Sequence, residues 1–379
     1  MSTVYFLGAG ASRSAGLPLA GELFKHIAEE VRSGVDLGTK ESWERVAAFI
    51  EPSDKSSLGR MLSSENIEVV FTMIDLLIQV EATEERQHWQ ETINTIRDLG
   101  AYSNPAKIPE LPDRDEVIST AKMVRRDLLE LVDHFFGWKH FQFWNEPERL
   151  SSLCDLIVDA QPSDCIVTTN WDTCIEHILM RSQKWSPCDG YGFPVKLLHQ
   201  GMTDPIPLPS AIKWLETIRS IPVLKLHGSY GWRMNDQGKI WLQSDGLLQY
   251  LPITPGSTWP LHDGNESVLG RVIDNVHVLL PSFAKTIDNA SLAAVWRLSA
   301  RKLRQARKVV IVGYSLPEAD GAMRALFAST LSSEVRCQPP HIVLVSPDPN
   351  SQKRFEELLG FAIKHQRMTL EEFISIGKA

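Results

Sequence analysis

The sequence predicts an α/β protein, a doubly wound Rossmann-like parallel sheet interrupted by a mainly helical insertion. Three observations carry this. Short apolar β-rich runs alternate with helical patterns at the N-terminus and again after residue 150. These runs break into Gly, Asn or Ser turns, as strands feeding crossover helices do. Between 41 and 149 the apolar residues recur only at helical spacing.

The elements follow in order. Val4 to Leu7 is a first strand that breaks into Gly8-Ala9-Gly10-Ala11-Ser12, and Leu19, Leu23, Ile27 and Val31 then mark a helix. Helical spacing fills the insertion: Trp43, Val46 and Ile50; Ile67, Val70, Phe71, Ile74 and Ile78; Val117, Ala121, Val124, Leu128 and Phe135. Residues 104–112 hold three prolines and read as a loop. After residue 150 come a helix near 153–160, a strand at 165–168 and a helix at 172–180. Residues 185–222 are dense in Pro and Gly and read as an irregular loop, followed by a strand at 223–226. Short strands at 239–242 and 276–280 are the only elements legible in 232–290. The chain then reads helix 291–305, strand 309–312, helix 319–331, strand 342–345, helix 351–359 and a short strand at 362–364. Thr369 and Glu372 form a capping box for a last helix. The domains implied are 1–40 with 150–379, carrying the sheet, and 41–149, the helical insertion.

Composition narrows the function. The chain has 379 residues, 43% hydrophobic and 23% charged, which is the balance of a soluble globular protein of about two domains. Its formal net charge of -8 supplies no field to gather phosphate backbones, so direct nucleic-acid binding is not expected. The five cysteines form no CxxC pair and are too few for a disulfide framework, so reduced thiols and a cytoplasmic location are expected. No apolar run is long enough for a membrane span, and no basic stretch precedes Val4 to suggest a signal peptide.

Ligands of a doubly wound sheet sit at the carboxyl ends of its strands, so the residues just after strands are the candidates. Gly8 and Gly10 offer close approach to the backbone, and a following helix N-terminus would offer free N–H donors. The loop is not the usual GxGxxG, since Arg13 stands where its third glycine belongs, and no ribose-binding acid ends a second strand. Thr168-Thr169-Asn170-Trp171-Asp172, Leu226-His227-Gly228-Ser229 and Val312-Gly313-Tyr314-Ser315-Leu316-Pro317 end three further strands. Each has an ordinary structural reading. The glycines can be a tight turn, Asn170 a helix N-cap, His227 a structural imidazole, and Asp172 a hydrogen-bond acceptor that organises the fold.

Taken together and in this order, GAGAS with Gly16-Leu17-Pro18, TTNWD, LHGS and GYSLPEAD resemble the sirtuin-like NAD-binding family. The resemblance implies that Gly8, Ala9, Gly10 and Ser12 line the pyrophosphate and ribose of NAD+. It places Asn170, with Thr169 and Asp172 beside it, at the nicotinamide ribose or a water near its anomeric carbon. His227 would be the base facing the ribose hydroxyls, and Gly313 and Ser315 would contact the phosphate or adenosine side. Ser346 and Asp348 fall where the family contacts the adenine ribose, although Ser346-Pro347-Asp348 departs from its pattern.

The paired cysteines of the deacylases' zinc module are missing, so no metal is expected. Leu19-Ala20-Gly21 and Thr169 also differ from the deacylase pattern. In these departures, and in the segment 65–75, the chain resembles the bacterial sirtuin-like NAD hydrolases of anti-phage defence. That resemblance implies an NAD glycohydrolase releasing nicotinamide and ADP-ribose, acting in abortive infection and latent until a homo-oligomer or a partner activates it. A HerA-like ATPase is the partner it suggests. Two other readings stay open: an NAD-dependent protein deacylase, and a non-catalytic module that binds NAD or ADP-ribose.

Away from these motifs, Arg297, Arg301, Arg304 and Lys308 read as a solvated helix face, and Phe135, Phe136, Trp138, Phe141 and Phe143 as core or an oligomer interface. Cys165 and Cys174 read as buried apolar fillers.

Overall fold

The computed structural model describes residues 2–34, 40–50, 67–79, 114–198, 206–207, 219–234, 240–243, 276–278, 290–318 and 320–377. The proline-rich loop expected at 104–112 lies outside them. Two compact units divide the chain: Met1–Leu17 with Lys139–Leu279 and Ile287–Ala379, and Pro18–Trp138 with Leu280–Thr286.

The first unit is built on a six-stranded parallel sheet. Its strands are β1 (Thr3–Leu7), β2 (Cys165–Thr168), β5 (Val223–Lys225), β9 (Lys308–Val312), β10 (His341–Val345) and β11 (Lys364–Gln366), in the spatial order β11-β10-β9-β1-β2-β5. All neighbours run parallel, with Val4 opposite Cys165 on one side and Val309 on the other. Numbered by sheet strand alone, this is the 3-2-1-4-5-6 order of a dinucleotide-binding sheet. The chain winds outward from β1 in one direction through β2 and β5, then returns and winds outward through β9, β10 and β11. Right-handed crossovers place the helices of the two halves on opposite faces. The strands are correspondingly apolar along their length: every residue of β2 and β5 is buried, and all but the first of β9 and β10.

The helices of this unit are the end of α4 (Arg114–Asn145), α5 (Ser151–Ile157), α6 (Cys174–Arg181), α7 (Ala290–Gln305), α8 (Gly321–Leu331), α9 (Ser351–Leu359) and α10 (Leu370–Ser375). Phe6 of β1 meets Phe327 of α8 edge-on at 4.8 Å and Tyr314 at 5.1 Å, and Phe327 meets Phe355 of α9 at 5.4 Å. Each fully buried ring of this kind contributes about 1.5–3 kcal/mol of burial. The capping box at Thr369 forms as the spacing predicts, with Thr369 Oγ1 accepting from the Glu372 amide and Glu372 accepting from the Thr369 amide. Arg297, Arg301 and Arg304 are exposed, in keeping with a solvated face, and Arg304 reaches the Ser329 carbonyl. Cys165 and Cys174 are buried, and burial pushes the Cys165 thiol up to about 12, so neither is poised to react.

The region from 185 to 290 departs from its reading as irregular loop only over 185–222, while the strands read at 239–242 and 276–280 form at Ile240–Gln243 and Val276–Val278. Its described residues form a second, five-stranded sheet of order β4-β3-β7-β6-β8, made of β3 (Lys196–Leu198), β4 (Ile206–Pro207), β6 (Gly228–Met234), β7 (Ile240–Gln243) and β8 (Val276–Val278). Trp185, Tyr191, Phe193 and Trp232 pack edge-to-face beside it, with centroids about 5 Å apart. Lys196–Leu198 and Ile206–Pro207 are only three and two residues long and stand among prolines, which leaves no alternation to read.

The second unit is helical where described: α1 (Leu23–Arg32), α2 (Lys40–Ile50), α3 (Ile67–Gln79) and the first part of α4. The spacing of Val46, Ile74, Ala121, Val124 and Leu128 reports their burial correctly. Buried Asp127 of α4 takes a forked pair of hydrogen bonds from Arg45 of α2, at 2.6 and 3.2 Å. No helix among the described residues is long and apolar enough to cross a membrane.

Candidate active site

The switch point of the first unit's sheet lies at β1, where the strand order reverses, so the loops after β1, β2 and β9 converge at its carboxyl edge. Asn170 is fixed there by both neighbours. Its Nδ2 donates to the Gly8 carbonyl and to Ser12 Oγ, each at 3.0 Å. Ser12 Oγ in turn donates to Asp172 Oδ2 at 2.9 Å, and Asp172 Oδ1 accepts the Cys174 amide at 3.0 Å.

This network decides the amide orientation. A carbonyl can only accept, so the nitrogen of Asn170 must face Gly8 and its oxygen must face away. That oxygen, Oδ1, is buried and has no hydrogen-bond partner among the described residues. Buried polar atoms are almost always paired, so an orphan acceptor at a strand end marks a place for a donor. Backbone bonds hold the same loop. Thr168 Oγ1 donates to Leu7 O at 2.9 Å and accepts the Asn170 amide at 3.0 Å, and the Thr169 amide reaches Leu7 O at 3.2 Å. Asn170 is therefore not the cap of α6, which begins at Cys174 after Thr173. Asp172 is the fold-organising acceptor.

Gly8, Gly10 and Gly313 answer to packing between two loops. A Cβ on Gly8 would stand 2.6 Å from Gly313 O, and one on Gly313 would stand 2.1 Å from the Ala11 nitrogen, at a φ of +63°. The amides of Gly8, Gly10, Ala11 and Ser12 already donate to Val312 O, Gly313 O, Gly8 O and Ala9 O. Short 3₁₀ turns at Ala9–Ala11 and Arg13–Ala15 follow β1, and the α-helix begins only at Leu23. The helix N-terminus expected directly after the glycines is thus replaced by turns in which these donors are spent internally. Ala9 lies half-buried in the first of these turns.

His227 is the second residue of the turn from β5 into β6, and only 3% exposed. Its segment lies along the Asn170 loop. The Leu226 amide donates to Thr168 O at 2.9 Å, the Tyr230 amide to Trp171 O at 3.1 Å, and Ser229 Oγ to Trp171 O at 3.3 Å. The strand read at 223–226 ends at Lys225, and Gly228, read as part of a turn, opens the next strand with a φ of +76°.

Ser315 follows β9 and is half-buried, its carbonyl accepting Arg354 Nε at 2.8 Å. Ser346 and Asp348 follow β10, two strands from β1, and are not gathered with Asn170. Ser346 Oγ accepts the Asp348 amide at 3.3 Å. Burial pulls the Asp348 carboxyl up, but the Asn350 amide and Arg354 outweigh it and hold it below the usual range. Both of its oxygens are thereby engaged.

Four neighbours of the site, in two pairs, carry little or no sequence signal. Lys225 and Glu176 form a fully buried ion pair at 3.0 Å, whose only signal is a charge inside the apolar run Val223-Leu224-Lys225-Leu226. His140 reaches Thr173 Oγ1 at 3.0 Å, and its ring meets His177 edge-on at 5.5 Å. Burial, then the neighbouring imidazole, pulls His140 down to about 3, while burial, then Arg181, pulls His177 down to about 4. No signal announced this pair, because α4 and α6 meet only in three dimensions. Among the described residues no group of three or more His, Cys, Asp or Glu side chains is placed to hold a metal ion.

Two solved structures, each a mutant Sir2 homologue in complex with ADP-ribose, are similar to the chain at 11% and 12% identity. Their TM-scores are 0.37 and 0.35, with 98% of this chain and 88% of each of those covered. No curated protein matches it. The family model described as the SIR2-like domain matches residues 164–364, which span β2 and its Asn170 loop through to β11, and the chain belongs to that family.

Proposed function

We propose that this protein is an NAD+ glycohydrolase that cleaves NAD+ to nicotinamide and ADP-ribose. The observation that carries the reading is the buried, unpartnered Asn170 Oδ1, held at the switch point of a dinucleotide-type sheet by Gly8 and Ser12. An acceptor fixed in this way suits a ribose hydroxyl or an attacking water.

The chemistry needs little more than placement. Nicotinamide leaves NAD+ as a neutral base: the glycosidic C–N bond breaks, its electron pair returns to the ring nitrogen, and positive charge develops on the ribose. Water then bonds to the anomeric carbon and loses a proton. Asn170 Oδ1 orients a ribose hydroxyl or the water, and the His227 imidazole accepts the proton. Ser12 and Asp172 keep Asn170 in the orientation that presents its oxygen. Gly8, Ala9, Gly10, Thr169, Gly313 and Ser315 form the rim of this edge, and Ser346 stands at the adenine ribose in the same reading.

The resemblance of the motifs supports a defence role: an effector of anti-phage abortive infection, cytoplasmic, kept latent and switched on by self-association or by a HerA-like ATPase. Incubating the chain with NAD+, alone, concentrated to drive self-association and together with a HerA-like ATPase, and separating the products tests the reading. Nicotinamide and ADP-ribose in equal amounts, without zinc or an acyl peptide, are expected. Release that requires an acyl-lysine peptide assigns a deacylase instead.

A further inference from the structure

Lys225 is fully buried at the end of an edge strand, where an ammonium is hardest to keep. Its Nζ donates to the backbone carbonyl of Asp172 and to Glu176 Oε1, and Tyr191 Oη donates to the same Glu176 oxygen at 3.2 Å. Stability alone does not call for such a pair, since well-packed apolar residues of similar volume are commonly as stable. An apolar pair fails in one respect: it has no donor for the Asp172 carbonyl. The Asp172 carboxylate and Glu176 only accept, so neither replaces the ammonium as that carbonyl's donor.

Lys225 also stands two residues before His227 in the segment that lies along the Asn170 loop. The contacts divide that loop into two grips. Ser229 and Tyr230 take the Trp171 carbonyl, and Lys225 takes the next carbonyl, that of Asp172. We propose that Lys225, neutralised by Glu176, is a positioning residue that clamps loop 169–173 to the segment carrying His227 and so sets the placement of Asn170. Its activity readout rests on the hydrolase reading above.

The full-length chain carrying Lys225→Met together with Glu176→Gln tests this, because the pair is removed without stranding either charge and Gln keeps an acceptor for Tyr191. Two quantities are compared with wild type: steady-state nicotinamide release, and hydrogen exchange of individual backbone amides. The clamp predicts kcat lower by about a hundredfold with a smaller change in KM, the scale of a displacement of about 1 Å. It also predicts exchange at the Asn170 and Cys174 amides faster by about tenfold or more, with the β2 and β5 amides as protected as in wild type. Wild-type exchange at Asn170 and Cys174 overturns the proposal, as does wild-type kcat in an active chain. Faster exchange throughout the sheet, or a double variant that does not fold, assigns the pair to stability and overturns it equally. A wild-type chain that releases no nicotinamide, self-associated or with a HerA-like ATPase added, sinks the hydrolase reading instead, and the clamp then stands or falls on the exchange data alone.

Discussion

His140 and His177 make the folded chain sensitive to mild acid. Both imidazoles are buried beside the Asn170 loop and held neutral, at about 3 and about 4, against an ordinary 6.5. Between pH 6.5 and those values the unfolded chain binds two protons that the folded chain refuses. A histidine whose folded pKa is depressed contributes fully above 6.5 and progressively less as pH falls. Lowering the pH from 7.5 to 5 therefore removes about 2 kcal/mol per histidine, about 4 kcal/mol for the pair, because pH 5 lies above both folded values and the unfolded chain sets the loss. Glu176 works in the opposite sense, since burial raises its carboxyl against the pull of Lys225. A comparison of wild type with His140→Gln/His177→Gln cancels that contribution.

Urea unfolding of both proteins at the two pH values is the assay. Wild type is expected to lose about 4 kcal/mol more than the double variant on acidification. If the two lose stability in parallel, the histidines are either protonated in the folded state or not buried as described.

Two further outcomes follow from the loops. Gly313→Ala is expected to cost about 3 kcal/mol or more in thermal or urea unfolding, since its Cβ would stand 2.1 Å from the Ala11 nitrogen at a positive φ; a wild-type transition would show that the two loops can part cheaply. Ser12→Ala removes the link between Asn170 and Asp172 and leaves a buried carboxylate oxygen short of a donor. About 1–3 kcal/mol of stability should be lost, and nicotinamide release should fall more than NAD+ binding does; equal losses in both would remove Ser12 from the orientation of Asn170.

The parallel sheet was legible because its strands are continuous apolar runs with strong punctuation. β2 lies at 165–168 and α9 at 351–359, as read, and β9 and β10 differ from their readings by one residue each. The second sheet was legible only in part: β7 and β8 lie where strands were read, at 239–242 and 276–280, whereas β3 and β4 are three and two residues long and β3 takes its register from the distant β7. The strand-end motifs did point to one edge of the sheet. What they hid was the division of labour at that edge: Gly8 and Gly313 serve loop packing, and Asn170 points its nitrogen inward and its oxygen out. Those facts depend on contacts between residues about 150–300 positions apart, such as Gly8 with Asn170 and with Gly313, which no local pattern encodes. Lys225 could have been flagged, because a lysine in a buried strand demands a partner.

In the proposed function the oxygen of Asn170 acts on the nicotinamide ribose or its attacking water. The most direct test of this role is nicotinamide release from NAD+ by wild type and by Asn170→Ala, with dinucleotide affinity measured in parallel by calorimetry. Release by activated wild type is expected, with a fall of about a hundredfold or more in the variant and affinity changed far less. Release at the wild-type rate from a folded Asn170→Ala chain, or a wild-type chain that binds NAD+ and never turns it over even when self-associated or joined by a HerA-like ATPase, would contradict this role.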